Sequence, residues 1–198
     1  MQPSPPSVLI LAGGSARRMG GGDKPMADIG GQPILARIIA AVSPADIAIS
    51  ANGIPARFAQ FGVPVLPDGP FAGQGPLAGV LAGLEWAAER GAAALLTVPG
   101  DTPFIPRGLA ATLAPDPSCA ASLGRVHHLV ALWPTGCRFA LRATLAAPGP
   151  RDVRRFADKL GMRHVNFPII GYDPFMNVNT MEDLAVARAL ARNAEGLS

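Results

Sequence analysis

The stretch Val8-Leu-Ile-Leu-Ala-Gly-Gly-Ser-Ala-Arg-Arg-Met-Gly-Gly-Gly-Asp-Lys24 decides the fold. Its first five residues are an unbroken apolar run closed by Gly13-Gly14, the pattern of a short strand buried on both faces. Arg17, Arg18 and Lys24 then crowd a loop rich in glycine. Glycine lets backbone N–H groups come close to phosphate oxygens, and the three cations supply positive charge. The loop is not a Walker loop, because Lys24 follows Asp23 and precedes Pro25, and no GxGxxG can be laid on it. As glycine enrichment alone it reads as a flexible turn; the basic triplet directly behind a strand moves the reading to phosphate binding.

Outward from this loop, apolar runs alternate with helical patterns. Ile34, Leu35, Ile38, Ile39 and Val42 recur on one helical face behind Pro33, a residue suited to a helix start. Strands are expected at Ile47–Ala51, Val63–Leu66 and Ala93–Val98, with a helix opening at Pro76 whose stripe is Leu77, Val80, Leu81 and Leu84. That order predicts an α/β fold, a three-layer sandwich whose mostly parallel sheet is covered by helices on both faces. Cys119–Leu123 and Val126–Trp133 read as an added antiparallel hairpin turning at Gly124-Arg125. Helices over about 137–147 and 151–161, a strand near His164–Phe167 and a last helix behind the capping box Thr180-Met-Glu-Asp183 complete the pattern. One domain over 1–198 is expected, with residues 1–6 flexible.

In open α/β sheets ligands lie beyond the carboxyl ends of the strands. Those ends carry Gly13-Gly14, Asn52, Asp68 and Asp101. A carboxylate such as Asp101, facing a basic phosphate loop, is placed to hold Mg²⁺ on a triphosphate. A helix N-cap or an Asx-turn before Pro103 accounts for it equally well. Asp68 invites the same two readings, with the turn-former favoured.

Composition removes whole classes of function. With 49% hydrophobic and 16% charged residues the chain is neither disordered nor a coiled coil. A net charge of +3 spread along a sequence with 6% aromatic residues does not describe a nucleic-acid binder. The two cysteines, Cys119 and Cys137, have neither CxxC nor Cys/His ligand spacing, so they read as small core residues. The opening Met-Gln-Pro-Ser-Pro-Pro-Ser7 lacks a charged n-region, and no apolar run approaches the ~18 residues of a membrane span. A cytoplasmic protein is expected, without membrane partners.

Four motifs in register carry a resemblance: Leu11-Ala-Gly-Gly with Arg18-Met-Gly-Gly-Gly-Asp-Lys24, Gly75-Pro-Leu-Ala-Gly79, Asp101-Thr-Pro-Phe104 and Asn177-Val-Asn-Thr180. Together they resemble the molybdenum cofactor guanylyltransferases, the MobA-like nucleotidyltransferases, from Val8 to about Leu190. The resemblance implies a Rossmann-like nucleotidyltransferase fold and GMP transfer from GTP to molybdenum-molybdopterin, with pyrophosphate leaving and Mg²⁺ as cofactor. It implies that Leu11, Ala12 and Gly13 contact GTP through backbone and that Lys24 holds its phosphates. Asn52 and Asp68 would sit around the nucleoside, Asp101 would bind Mg²⁺ beside the α-phosphate, and Arg18 would lie over the leaving pyrophosphate. Asn177 and Asn179 match a motif near the pterin partner. Related cytidylyltransferases read Leu-Ala-Ala-Gly at the first loop and Asp-x-Asp-Thr at the last motif, and both differences imply GTP. The implied protein partners are the molybdenum insertase and chaperones of recipient molybdoenzymes; a monomer suits the size.

Outside the motifs the readings stay double. His127 matches a family His-Pro and serves either a strand end or the pterin, whereas His128 replaces the proline. His128 and His164 read as plain surface or core residues, and Trp86 and Trp133 as packing. Arg151, Arg154, Arg155 and Lys159 form a solvated basic face or a grip for the anionic acceptor, Arg151 and Arg155 sharing a face by spacing. Pro70-Phe-Ala-Gly-Gln74 reads as a mobile loop leading into Gly75-Pro76.

Overall fold

The computed structural model describes residues 5–13 and 24–195. From the N-terminal side, β1 (Ser7–Leu11) is followed by β2 (Asp28–Ile29), β3 (Gln32–Pro33) and α1 (Ile34–Val42). Next come β4 (Ile47–Ser50), β5 (Val65–Leu66), α2 (Pro76–Glu89), β6 (Ala94–Pro99) and α3 (Leu109–Leu113). The second half holds β7 (Ser118–Ser122), β8 (Arg125–Pro134), α4 (Arg138–Ala146), α5 (Val153–Lys159), β9 (Arg163–Asn166) and α6 (Met181–Glu195).

Seven strands form one sheet in the order β5-β4-β1-β6-β8-β7-β9. The first four run parallel, β8 is antiparallel to both neighbours, and β9 is parallel to β7. β1 therefore lies inside the sheet, and its side chains alternate between two cores as strand pleating requires. Val8 and Ile10 pack with α1, α3 and α6, while Leu9 packs with α2, α4 and α5. The three-layer α/β sandwich expected from the sequence is the fold. Among the described residues no helix is long and apolar enough to cross a membrane.

Helix α2 approaches the sheet closely because two of its turns present glycine to it. A Cβ on Gly79 would overlap Ser50 Oγ, and one on Gly83 would stand 2.5 Å from Leu9 Cδ2. Trp133 lies fully buried on β8 and donates its indole N–H to Thr97 Oγ1 at 2.9 Å, so the packing role expected for it holds. Both cysteines are buried as expected, and burial pushes the thiols up, Cys119 to about 11 and Cys137 to about 12. α6 starts on a reciprocal box: Thr180 Oγ1 accepts from Asp183 N at 3.1 Å, and the Asp183 carboxylate accepts from Thr180 N at 2.9 Å.

Three details differ from the sequence reading. The β7–β8 hairpin turns at Leu123-Gly124 rather than Gly124-Arg125, with both residues at positive φ (49° and 72°), which is the primed turn that suits sheet twist. α5 begins at Val153 behind its N-cap Asp152, whose carboxylate accepts from Arg155 N. Arg151 thus lies outside the helix and does not share a helical face with Arg155. The β2–β3 hairpin, turning on Gly30-Gly31 at φ 62° and 76°, was not anticipated.

Candidate functional site

The carboxyl ends of β1, β4, β5 and β6 lie side by side, because these four strands are parallel neighbours. Two polar clusters form there, one over β4 and β5 and the other over β1 and β6.

On the first side, Ala12 N donates to Ser50 O at 2.9 Å and Ala51 N to Leu66 O at 3.1 Å, which aligns the strand ends. Asn52 and Asp68 follow directly and bond each other twice. Asn52 Nδ2 donates to Asp68 Oδ2 at 2.7 Å, and Asp68 N donates to Asn52 Oδ1 at 3.1 Å. Ser50 Oγ reaches the other Asp68 oxygen at 3.4 Å. Asp68 also precedes a short 3-10 turn, but its side chain makes no cap bond there and is turned to Asn52. The two residues singled out from the sequence are brought together; Ser50, buried at 3% exposure, was missed. Its signal was a hydroxyl ending an otherwise apolar strand.

On the second side the backbone pinches. Gly100 N donates to Leu11 O at 2.9 Å, and a Cβ on Gly100 would come within 3.1 Å of that same oxygen. Glycine at position 100 thereby lets the turn after β6 lie against the end of β1. Gly13, by contrast, has only Ser50 O and Ala51 Cα within reach of a Cβ, at 3.9 and 4.0 Å, and is exposed. The turn delivers Asp101. No helix follows it until Leu109, so the N-cap reading of this carboxylate does not hold.

The segment before α6 crosses the same place. Val178 N donates to Asp101 O at 2.8 Å, and the buried Thr102 Oγ1 donates to Asn177 Oδ1 at 3.1 Å. Lys24 Nζ donates to Asn179 Oδ1 at 2.8 Å. Asn179 N is held in turn by Asp183 at 2.9 Å, and the backbone amides of Asn179 and Thr180 keep that carboxyl below its usual range. Lys24, Asp101, Asn177 and Asn179 therefore form one constellation. Arg18 and the rest of the basic glycine loop lie outside the described residues.

Burial raises the Asp101 carboxyl above the ordinary carboxylate range, and the nearby Lys24 charge opposes that rise. A desolvated carboxylate gains most from a cation. Among the described residues no group of three or more His, Cys, Asp or Glu side chains is poised for a metal ion. A divalent ion on Asp101 would draw its other ligands from substrate phosphates and water, which is how Mg²⁺ is commonly bound.

A second network sits beside Asn177. Ser122 Oγ donates to Asp173 Oδ1 at 2.8 Å and lies 2.7 Å from His127 Nε2. With the hydroxyl proton given to Asp173, the imidazole is the donor to Ser122. Phe175 N also donates to Asp173 Oδ1, at 2.9 Å, and the Phe175 ring packs on His127 with centroids 5.1 Å apart. Burial lowers the His127 pKa, Asp173 opposes this, and Arg125 and His128 add to it. The ring is a structural strut for the segment carrying Asn177. Arg151 is likewise tied down, donating to Gln74 Oε1 at 2.7 Å and to Leu145 O at 2.9 Å, which anchors the 70–74 loop and removes this residue from a solvated basic face.

Residues 8–164 match the model of the MobA-like NTP transferase domain. A protein of Acidiphilium cryptum named molybdenum cofactor guanylyltransferase is 54% identical over 184 residues, spanning 92% of this chain and 93% of its own. One of the same name from Rhodopseudomonas palustris is 48% identical over 200 residues, with 96% and 93% covered. In fold, the crystal structure of molybdopterin-guanine dinucleotide biosynthesis protein A from Archaeoglobus fulgidus superposes with a TM-score of 0.73 at 20% identity, over 94% of this chain and 99% of that one. Likeness of sequence along nearly the whole length, on a sheet whose strand ends gather a lysine, an aspartate and two asparagines, leaves one assignment: the chain belongs to the MobA-like NTP transferase family.

Proposed function

We propose that the protein transfers GMP from GTP to molybdenum-molybdopterin, forming the guanine dinucleotide and releasing pyrophosphate. The observation that carries this reading is the half-buried Asp101 carboxylate, set beside Lys24 and directly behind Gly100, whose turn packs on β1. The relatives named above supply the nucleotide and the acceptor.

In this reading GTP lies across the carboxyl ends of β1 and β4. The backbone of Leu11, Ala12 and Gly13 faces it, and the open surface at Gly13 leaves room for close approach. The Asn52–Asp68 pair holds the nucleoside, with each side chain oriented by the other. Lys24, steered by Asn179, neutralises the phosphates, and Arg18 serves the leaving pyrophosphate. Mg²⁺ held by Asp101 would stabilise negative charge at the α-phosphate. Asn177 and Asn179 stand on the acceptor side. A phosphate oxygen of the acceptor forms the new bond to the α-phosphorus as the bond to the β-phosphate oxygen breaks. That oxygen is already ionised at neutral pH, so no general base is required and in-line positioning with charge stabilisation suffices. The setting is the cytoplasm, with the molybdenum insertase supplying the acceptor and chaperones of molybdoenzymes receiving the product.

Calorimetric titration with GTP, CTP, ATP and UTP, with and without Mg²⁺, tests the reading on the parent and on Asp101→Ala. Selective GTP binding that Mg²⁺ tightens, and that loses this tightening in Asp101→Ala, is the expected result. A preference for CTP would replace GTP in the scheme, and no nucleotide binding would overturn it.

A further inference from the structure

Next to Asp101 lies a cavity of about 470 Å³ that none of those roles uses. It opens between α1, residues 103–107 behind β6 and residues 167–174 behind β9. Its volume is that of an ordinary small-molecule site. The walls are aromatic: Phe104 and Tyr172 meet with centroids 4.8 Å apart at 48°, and Phe167 continues the surface. Two cations border them. The Arg37 guanidinium carbon stands 6.0 Å from the Phe104 ring centre, and Arg107 is exposed on the lining.

The cavity is preformed rather than a gap between loose loops. Phe175, 1% exposed, packs edge-on against Phe167 at 4.9 Å and against His127 on its other side. The Asp173–Ser122–His127 chain pins the residue that follows Tyr172. Both loops that line the cavity also lead into the reaction site. Pro103 stands two positions after Asp101, a span of at most about 7 Å of chain. Tyr172 stands on the segment that continues to Asn177.

Aromatic faces with guanidinium groups at their margin suit a flat, electron-rich heterocycle that carries an anionic substituent. The nucleoside half of the reaction is accounted for on the other side of β1, at Asn52 and Asp68. We propose that this cavity receives the bicyclic heterocycle of the acceptor, the pterin end of the substrate. The ring lies against Tyr172 and Phe104, Arg107 faces its polar edge, and the phosphate tail is directed toward Asp101. The inference rests on the functional reading above and adds to it the place and the residues of acceptor recognition.

The probe is pterin-6-carboxylate, whose own fluorescence reports binding, titrated into the full chain with and without saturating GTP and Mg²⁺. Three variants accompany the parent: Tyr172→Ala, Tyr172→Phe and Ala40→Trp, the last filling the cavity from the exposed side of α1. Tyr172→Ala is expected to weaken pterin binding about tenfold, in the range of one lost stacking partner, while Tyr172→Phe retains it. Ala40→Trp is expected to abolish it without touching either loop, which covers the case of a poorly folded Tyr172→Ala. GTP titrations on the same variants should stay within about twofold of the parent. Equal pterin affinity in parent and Ala40→Trp, a parallel loss of GTP binding, or no probe binding by the parent would each overturn the proposal. Failure of GTP to bind the parent, with pterin binding still lost in Ala40→Trp, would sink the guanylyl reading and leave the cavity assignment standing.

Discussion

The closest approach of helix to sheet gives the sharpest prediction, Gly79→Ala. In the helix interior alanine is favoured over glycine by about 1 kcal/mol. Here the added methyl would overlap Ser50 Oγ and stand 3.2 Å from Leu11 Cδ2 and 3.3 Å from Ser50 Cβ. Ser50 is buried at the end of an interior strand and cannot move aside cheaply. Inserting a methyl into such packing costs roughly 1–3 kcal/mol, so a net loss of about 1 kcal/mol remains. For a chain of this size that lowers Tm by about 2–4 °C. The displaced hydroxyl also gives up its contact with Asp68, so GTP affinity should fall about fivefold, about 1 kcal/mol, a modest loss because this hydroxyl–carboxylate bond is long at 3.4 Å. Gly83→Ala is the control. Its methyl would meet the ends of Leu9 and Leu95 in the apolar core, away from the strand-end cluster, so stability should fall without loss of GTP affinity. Thermal unfolding and GTP calorimetry on both variants decide the matter. A Gly79→Ala protein as stable as the parent with unchanged affinity, or equal affinity losses in the two variants, would refute the reasoning.

Two further expectations concern titration. The Asp101 carboxyl lies above its usual 3.8, so the folded chain favours its neutral form, and that contribution is lost as pH rises through the raised value. Asp101→Asn should therefore raise Tm of the nucleotide-free protein at pH 7.5, with a difference that shrinks toward pH 4, while removing the extra stabilisation given by Mg²⁺ with GTP. A variant less stable than the parent at pH 7.5 would contradict this. His127 lies below its usual 6.5, so it supports folding above that pH and ceases to as pH falls through the lowered value. His127→Gln keeps a donor for Ser122 without titrating, so its Tm should fall less between pH 7 and pH 5 than the parent's; equal slopes would rule the strut out.

The parts of the molecule legible in the sequence are those set by local pattern. β1 is announced by its apolar run and glycines, α2 by Pro76 and its stripe, and α6 by the Thr180–Asp183 box, because each signal spans only a few residues. Asn52 and Asp68 could be placed at strand ends, but their mutual bonding could not, since it depends on β4 and β5 being neighbours. Lys24 and Asn179 are 155 positions apart, and only resemblance to a family flagged both. The Ser122–His127–Asp173 chain needed the hairpin register and a long crossing segment, neither of which sequence periodicity encodes. Leu123 shows a local failure: a leucine at positive φ is uncommon, so residue preference moved the expected turn one step too far. The β2–β3 hairpin carried a readable signal, Gly30-Gly31 between short runs, but its strands of two residues fall below what alternation can detect.

The bond from Lys24 to Asn179 also orders events in time. Translation runs from the N- to the C-terminal side, so β1, β4, β5 and β6 are all made while the segment carrying Asn177 and Asn179 is still untranslated. The nucleotide side at Asn52 and Asp68 can take shape during synthesis. The constellation around Asp101 cannot, because its closing partners, Asn177 and Asn179, follow β9 in the chain. A nascent chain of this kind is thereby unable to complete its reaction centre until the segment before α6 has been made, and a chain that stops before Asn177 would lack both that centre and the helix whose Leu184, Ala187 and Ala191 close one core of the sheet.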